Sequence, residues 1–154
     1  MRPAIVPAIA LWLAACSEPR PPALRQVAIW APGLDITIDV EGNGRYLNRS
    51  NGEHRCFLLA SKQLDDLIRR MEVFRRSPQT MAGEDVRAFS LRGVPCDGPY
   101  VTDNGGMSIR WLGTSVDQFY SADFGCDRDR YAARNKELRA ILKSLPVPEP
   151  QSLP

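Results

Sequence analysis

Residues 34–60 read LDITIDVEGNGRYLNRSNGEHRCFLLA, and this stretch decides the fold. Leu34, Ile36, Ile38 and Val40 alternate with Asp35, Thr37 and Asp39. That is the period-two pattern of a strand with one face in a core and one in water. Gly42-Asn43-Gly44 follows, where glycine permits the positive φ of a tight turn. Arg45 to Ser50 returns as a second strand, Asn51-Gly52 turns again, and His54 to Ala60 reads as a third.

Downstream the period changes. After Ser61, which suits an N-cap, residues 62–76 (KQLDDLIRRMEVFRR) place Leu64, Leu67, Ile68, Met71 and Phe74 at three- and four-residue spacing, one face of a helix. Asp65–Arg69, Asp66–Arg70 and Glu72–Arg76 are acid-before-base pairs four apart, an arrangement that supports an exposed helix face. The arginine pairs therefore read as a solvated surface rather than an anion site. Ser77-Pro78 stops the helix.

The second half repeats the order. Met107 to Leu112 (MSIRWL) alternates, Gly113-Thr114 turns, and Asp117 to Ala122 returns. Gly125-Cys126-Asp127 then leads into a helix with apolar positions Tyr131, Leu138, Ile141, Leu142 and Leu145. Gly42 precedes Cys56 by 14 positions and Gly113 precedes Cys126 by 13. Lys62-Gln63-Leu64 and Lys136-Glu137-Leu138 occupy equivalent helical stretches. The order reads as a degenerate β-β-α duplication, although hairpin-plus-helix is a common unit and coincidence stays open. Either way the class is α+β: an antiparallel sheet with two helices packed on one face. Val27 to Trp30 and Asp85 to Leu91 are candidates for further strands.

The chain of 154 residues is a one-domain length. Its net charge is +2, and loss of Arg2 with a leader would bring it to about +1. Such a balance lacks the clustered basic excess of a nucleic-acid partner.

The N-terminus carries the most specific motif. Arg2 precedes an apolar run from Ala4 to Ala15, too short to span a bilayer, which needs roughly 20 residues, but fitting the apolar region of a secretory signal. It ends in Leu13-Ala14-Ala15-Cys16. This tetrad resembles the lipobox of bacterial lipoprotein precursors, in which the cysteine thiol is lipidated and the chain cut before it. The resemblance implies a signal peptide over 1–15, a membrane anchor at Cys16, and a cell-envelope location facing the periplasm. Ser17, rather than aspartate, after the cysteine implies the outer membrane. Two or three acyl chains hold such an anchor where one binds reversibly. An ordinary signal cut after Ala15 is the alternative. Residues 17–22 (SEPRPP) are an extended spacer, so 16–23 form the anchor and spacer, 24–145 the globular domain, and 146–154 (PVPEPQSLP) a proline-rich tail. The mature domain resembles small envelope lipoproteins and no narrower family.

Lipidation of Cys16 leaves Cys56, Cys96 and Cys126. Three cysteines allow three pairings and leave one over. Cys96–Cys126 is the expected disulfide, because each lies in a turn beside a strand and the intervening hairpin returns one toward the other. Such a loop would contribute about 3 to 4 kcal/mol. Cys56, in an apolar run, is expected to be a buried small hydrophobe. Its functional alternative is a reactive thiol paired with His54, two residues away on the same strand face, which would require the imidazole within hydrogen-bond reach of the sulfur.

With His54 the single histidine, no triad or histidine zinc site forms without it. No Gly-x-Ser-x-Gly elbow or phosphate-cradling loop is present in the sequence. Asp127-Arg128-Asp129 opens like a calcium loop, but Tyr131, Ala132 and Leu138 stand where ligands and glycine belong. It reads instead as an acidic helix N-terminus. Asp97, Asp103 and Asn104 are loop formers first, with a weak metal site as the alternative. Trp30, Trp111, Phe119, Tyr120 and Phe124 read as core or an aromatic surface, with Phe119 and Tyr120 unable to point the same way from one strand. No catalytic, cofactor or metal residues are assigned.

The expected function is thus a tethered, non-enzymatic binding or assembly module of the envelope, with the membrane and an envelope protein as partners. The alternatives are a periplasmic inhibitor of a hydrolase, acting through residues 77–84 or 95–106, and an enzyme using Cys56 or the loop aspartates.

Overall fold

A computed structural model describes residues 24–86 and 95–150. Cys16, its lipobox, the spacer and residues 151–154 of the tail lie outside the described residues. The elements run β1 (Leu24–Ala31), β2 (Leu34–Asp39), β3 (Asn43–Asn48), β4 (Glu53–Leu58), α1 (Ser61–Arg75), β5 (Met81–Ala82), β6 (Gly106–Gly113), β7 (Asp117–Asp123) and α2 (Ala132–Lys143). Residues 84–86 are also helical. The seven strands form one sheet in the order β4-β3-β2-β1-β6-β7-β5, every neighbouring pair antiparallel. The architecture is mixed α+β.

Strand register lines up the apolar positions. Ile29 of β1 sits between Ile36 of β2 and Ile109 of β6, and Val27 between Ile38 and Trp111. Tyr46 continues the row beyond Ile36, and Tyr120 beyond Ile109. These side chains, with Leu67, Met71 and Phe74 of α1 and Leu138, Ile141 and Leu142 of α2, form a single hydrophobic cluster. Ile29, Ile109, Leu138 and Ile141 are wholly buried, each contributing about 1.5 to 3 kcal/mol by leaving water. Gly44 is required where it stands: a Cβ there would lie 2.1 Å from the ring of Phe57, its cross-strand partner.

The alternate residues face away from this cluster. Trp30 and Phe119 meet there, ring centroids 6.2 Å apart, while Tyr120 points into the core and contacts Phe74 at 5.2 Å. Beside them Arg110 donates two hydrogen bonds to Asp117, both 2.8 Å.

Turn chemistry follows the sequence. Asp39 accepts from the backbone N–H of Glu41 (3.0 Å) and Asn43 (2.8 Å), and Gly42 takes φ +89°. Ala60, not Ser61, caps α1, and its N–H donates to Gln63 Oε1 at 2.9 Å. Of the expected ion pairs, Asp66–Arg70 (3.9 Å) and Glu72–Arg76 (2.9 Å) form. Arg69 meets Asp66. Two arginines bridge elements instead of lying in solvent: Arg70 donates to Glu137 of α2 at 2.7 Å, and Arg75 to Gln118 of β7 at 2.6 Å. No described helix is long and apolar enough to cross a membrane.

Three expectations are corrected. Asp85 and Val86 are helical and not extended; 87–91 of that expected strand lie outside the described residues. Asp127 and Asp129 do not form the first turn of α2, which begins at Ala132 after Tyr131. The chain first makes a separate turn, with Asp127 at φ +37° and its Oδ1 accepting the Arg130 N–H at 3.3 Å. Val40 lies beyond the end of β2 and is exposed, although its N–H still donates to Arg25 O at 3.2 Å as the chain enters the Asp39-centred turn.

Candidate functional site

The disulfide joins Cys96 and Cys126 across 30 positions. It clamps the loop entering β6 to the chain leaving β7. Main-chain bonds reinforce the clamp: the Val101 N–H donates to Gly125 O at 3.0 Å and the Asp127 N–H to Pro99 O at 2.8 Å. Tyr100 and Cys126 form an antiparallel bridge. The approach demands glycine at 125, since a Cβ there would lie 2.0 Å from Val101 O.

Side chains hold the rest of the loop. Tyr100 donates its hydroxyl to Asp123 Oδ2 at 3.0 Å, while Asp123 Oδ1 accepts the Gly125 N–H at 2.7 Å. The bond to Asp123, with that carboxylate's charge, holds the Tyr100 phenol above its usual pKa. The Asn104 amide donates to the carbonyls of Val101 and Thr102 at 3.3 and 3.1 Å. Asp103 sits at φ +62°, a left-handed conformation uncommon for residues with a Cβ. These bonds brace the loop from within. Its bridge segment nonetheless presents apolar surface, with Tyr100 55 % and Val101 44 % exposed.

The N-terminal half of α2 docks beneath. Asn135, 8 % exposed, donates to Phe124 O at 3.4 Å and accepts from Arg134 Nε at 2.9 Å. Arg134 also donates to Asp123 O at 2.8 Å and stacks 3.9 Å over the Tyr131 ring. Arg139 lies 4.7 Å over the Phe124 ring. Between loop and helix runs an open groove of about 1230 Å³, lined among others by Pro32, Val101, Asn104, Phe124, Lys136 and Arg139. Charges of both signs border it, Asp103, Asp127, Asp129 and Glu149 with Arg128, Lys136, Arg139 and Lys143. The combination of braced loop, exposed apolar residues and mixed rim suits recognition of a surface.

The other sequence candidates are dispersed. Cys56 is exposed, not buried, because β4 is an edge strand and the thiol lies on the face away from the core, opposite Arg45. His54 is also exposed, and its Nδ1 lies 3.4 Å from Gly52 O. Among the described residues no three His, Cys, Asp or Glu side chains converge as a metal site. Asp97 and Asp103 both lie in the braced loop; the structure places no histidine there. The stacking of Arg139 on Phe124 was missed by sequence reasoning, since it depends on the fold bringing α2 to the end of β7; the Asn104 clamp, also missed, is local, reaching carbonyls two and three residues back. No protein-family model matches the chain, and no curated protein or solved structure matches it.

Proposed function

We propose that this chain is a lipid-anchored envelope protein that binds another protein through the braced loop 95–106, without catalysing a reaction. The observation that carries the reading is the loop itself. A disulfide, two main-chain bonds and the Asn104 clamp brace it while Tyr100 and Val101 stay exposed on it. Fixing a loop before binding removes the ordering cost that a mobile one would incur, and tyrosine is enriched among residues that dominate interfaces. The lipobox at Leu13-Ala14-Ala15-Cys16 supports the anchor and the periplasm-facing, outer-membrane location.

The same loop also favours a narrower reading, inhibition of a periplasmic hydrolase by insertion of the loop into its cleft. The fold belongs to this proposal in two respects. The shared hydrophobic cluster of α1, α2 and the sheet supports a two-helix layer on one sheet face. The hairpin-then-helix order of both halves supports a degenerate duplication.

The test is capture from envelope extract with the full chain, beside Tyr100→Ala and Val101→Asp variants of unchanged thermal stability. A stoichiometric protein retained by the wild type and lost from both variants is expected. Equal retention by all three would refute the loop as the binding element. The anchor is tested separately by intact mass: a mature chain beginning at Cys16 without a lipid increment would end that part.

A further inference from the structure

The two edges of the sheet are unequal. β5, at one end, is two residues long. β4, at the other, runs six residues without proline, lysine or bulge, and His54, Arg55, Cys56 and Leu58 are exposed along it. The Leu59 N–H donates to Gly42 O at 3.0 Å, in register with the β3–β4 ladder. Hydrogen-bonded pairs alternate in an antiparallel ladder, so 57 and 55 also bond inward, to 44 and 46. The N–H and C=O of His54, Cys56 and Leu58 consequently point away from β3. Among the described residues no strand receives them. An edge of this kind is a template for another strand.

We infer that a second copy of this chain occupies this edge, its β4 pairing antiparallel with β4 about a twofold axis at Cys56. Three features select that occupant and register. Pairing about Cys56 sets His54 opposite Leu58 of the second copy and Cys56 opposite Cys56, the one register in which all three outward residues pair with one another. No like charges meet in it, as Arg55 faces Phe57 of the second copy, whereas pairing about Arg55 would oppose two arginines. The contact also closes on itself: a symmetric interface at β4 leaves only the two-residue β5 edges, so the assembly stops at a dimer. Leu58, 69 % exposed in the single chain, is covered by the contact.

At the axis the Cα atoms of a bonded pair stand about 5.5 Å apart, inside the Cα range of a disulfide, and a local twist of the two edge strands brings the wider-set Cβ atoms to bonding distance. The Cys96–Cys126 bond belongs to a chain that folds where thiols oxidise. A small disulfide such as oxidised glutathione therefore suffices to lock the dimer. One Cys56 thiolate attacks it, releasing one glutathione, and the second Cys56 thiolate attacks the mixed disulfide, releasing the other.

The experiment is light scattering on the full chain in mild detergent with reductant, across concentration. A dimer is expected. Cys56→Glu opposes two carboxylates at the axis and is expected to weaken the dimer at least about tenfold. At concentrations below dissociation of the dimer it leaves the chain's own urea midpoint unchanged, the site being exposed in the single chain. Leu58→Pro removes an outward N–H and is expected to do the same. Under oxidised glutathione the wild type is expected to give a Cys56–Cys56 peptide by mass spectrometry. A monomer at every concentration, a dimer indifferent to both substitutions (two anchors sharing a micelle), or a Cys56–glutathione adduct alone would each overturn the inference.

Discussion

Replacing Cys96 and Cys126 together by alanine opens a loop closed across 30 positions. In the chain-entropy treatment, closing a loop of that length contributes about 3.6 kcal/mol at 25 °C by restricting the unfolded chain. Cys126 is 4 % exposed, so loss of its sulfur adds a small void worth about 1 kcal/mol. The Val101–Gly125 and Asp127–Pro99 bonds survive in the folded variant and do not offset the loss. The expected decrease is therefore about 3 to 5 kcal/mol, a large share of the roughly 5 to 15 kcal/mol that holds a domain together. Urea unfolding followed by the fluorescence of buried Trp111 measures it. With a slope of about 1.5 kcal/mol per molar, the midpoint falls by about 2 to 3 M. The wild type under reductant should match the variant to within the void term. A loss below about 1 kcal/mol would refute the reasoning, because the loop would then be closed by its other contacts even in the unfolded ensemble.

Gly125→Ala drives a Cβ toward Val101 O, 2.0 Å away, and is expected to cost about 1 to 3 kcal/mol, with faster proteolysis within 99–104 as the second readout. Leu138→Ala empties a wholly buried site and should cost about 2 to 5 kcal/mol, whereas Val73→Ala, at a position 71 % exposed, should stay within about 0.5 kcal/mol; equal costs in thermal melts would contradict the assignment of the core. The Asn43 side-chain hydrogen bond holds the Asp39 carboxyl below its ordinary 3.8, helped by backbone N–H groups and opposed by burial. Its stabilising effect is therefore present above the unfolded value and lost as pH falls through the lower folded one. Asp39→Ala should flatten that acid limb in urea midpoints taken from about pH 2 to pH 7, and an unchanged limb would remove the turn from the account.

The hairpins were legible because alternation is a local property of the chain. Leu34, Ile36 and Ile38 against Asp35, Thr37 and Asp39 leave one way to face a core, and Asn and Gly mark the turns. The helix over 61–75 was legible for the same reason at the longer period, and the pairing of Cys96 with Cys126 followed from the hairpin between them. Less legible was Cys56. Its neighbours Phe57, Leu58 and Leu59 make an apolar run, and burial was the natural reading. Only the strand order, with β4 outermost, exposes the thiol. The end of β7 also misled: acidic residues before a helix suit its dipole, but Asp127, next to the disulfide, takes positive φ in a separate turn and α2 begins only at Ala132.

The sequence by itself thus determined the two hairpins and two long helices, the faces of β2 and α1 and the motif for an anchor, and it pointed to one cysteine pair of three. Each rests on neighbours within a few residues, or on one hairpin. Tertiary structure alone decided the strand order, and with it which edge stays open. It also decided that Arg70 and Arg75 reach across to Glu137 and Gln118, and that the loop 95–106 stands beside α2 to frame a groove. Those depend on contacts between residues far apart in the chain, whose energies emerge only when the whole hydrophobic cluster assembles and sets the distances between them.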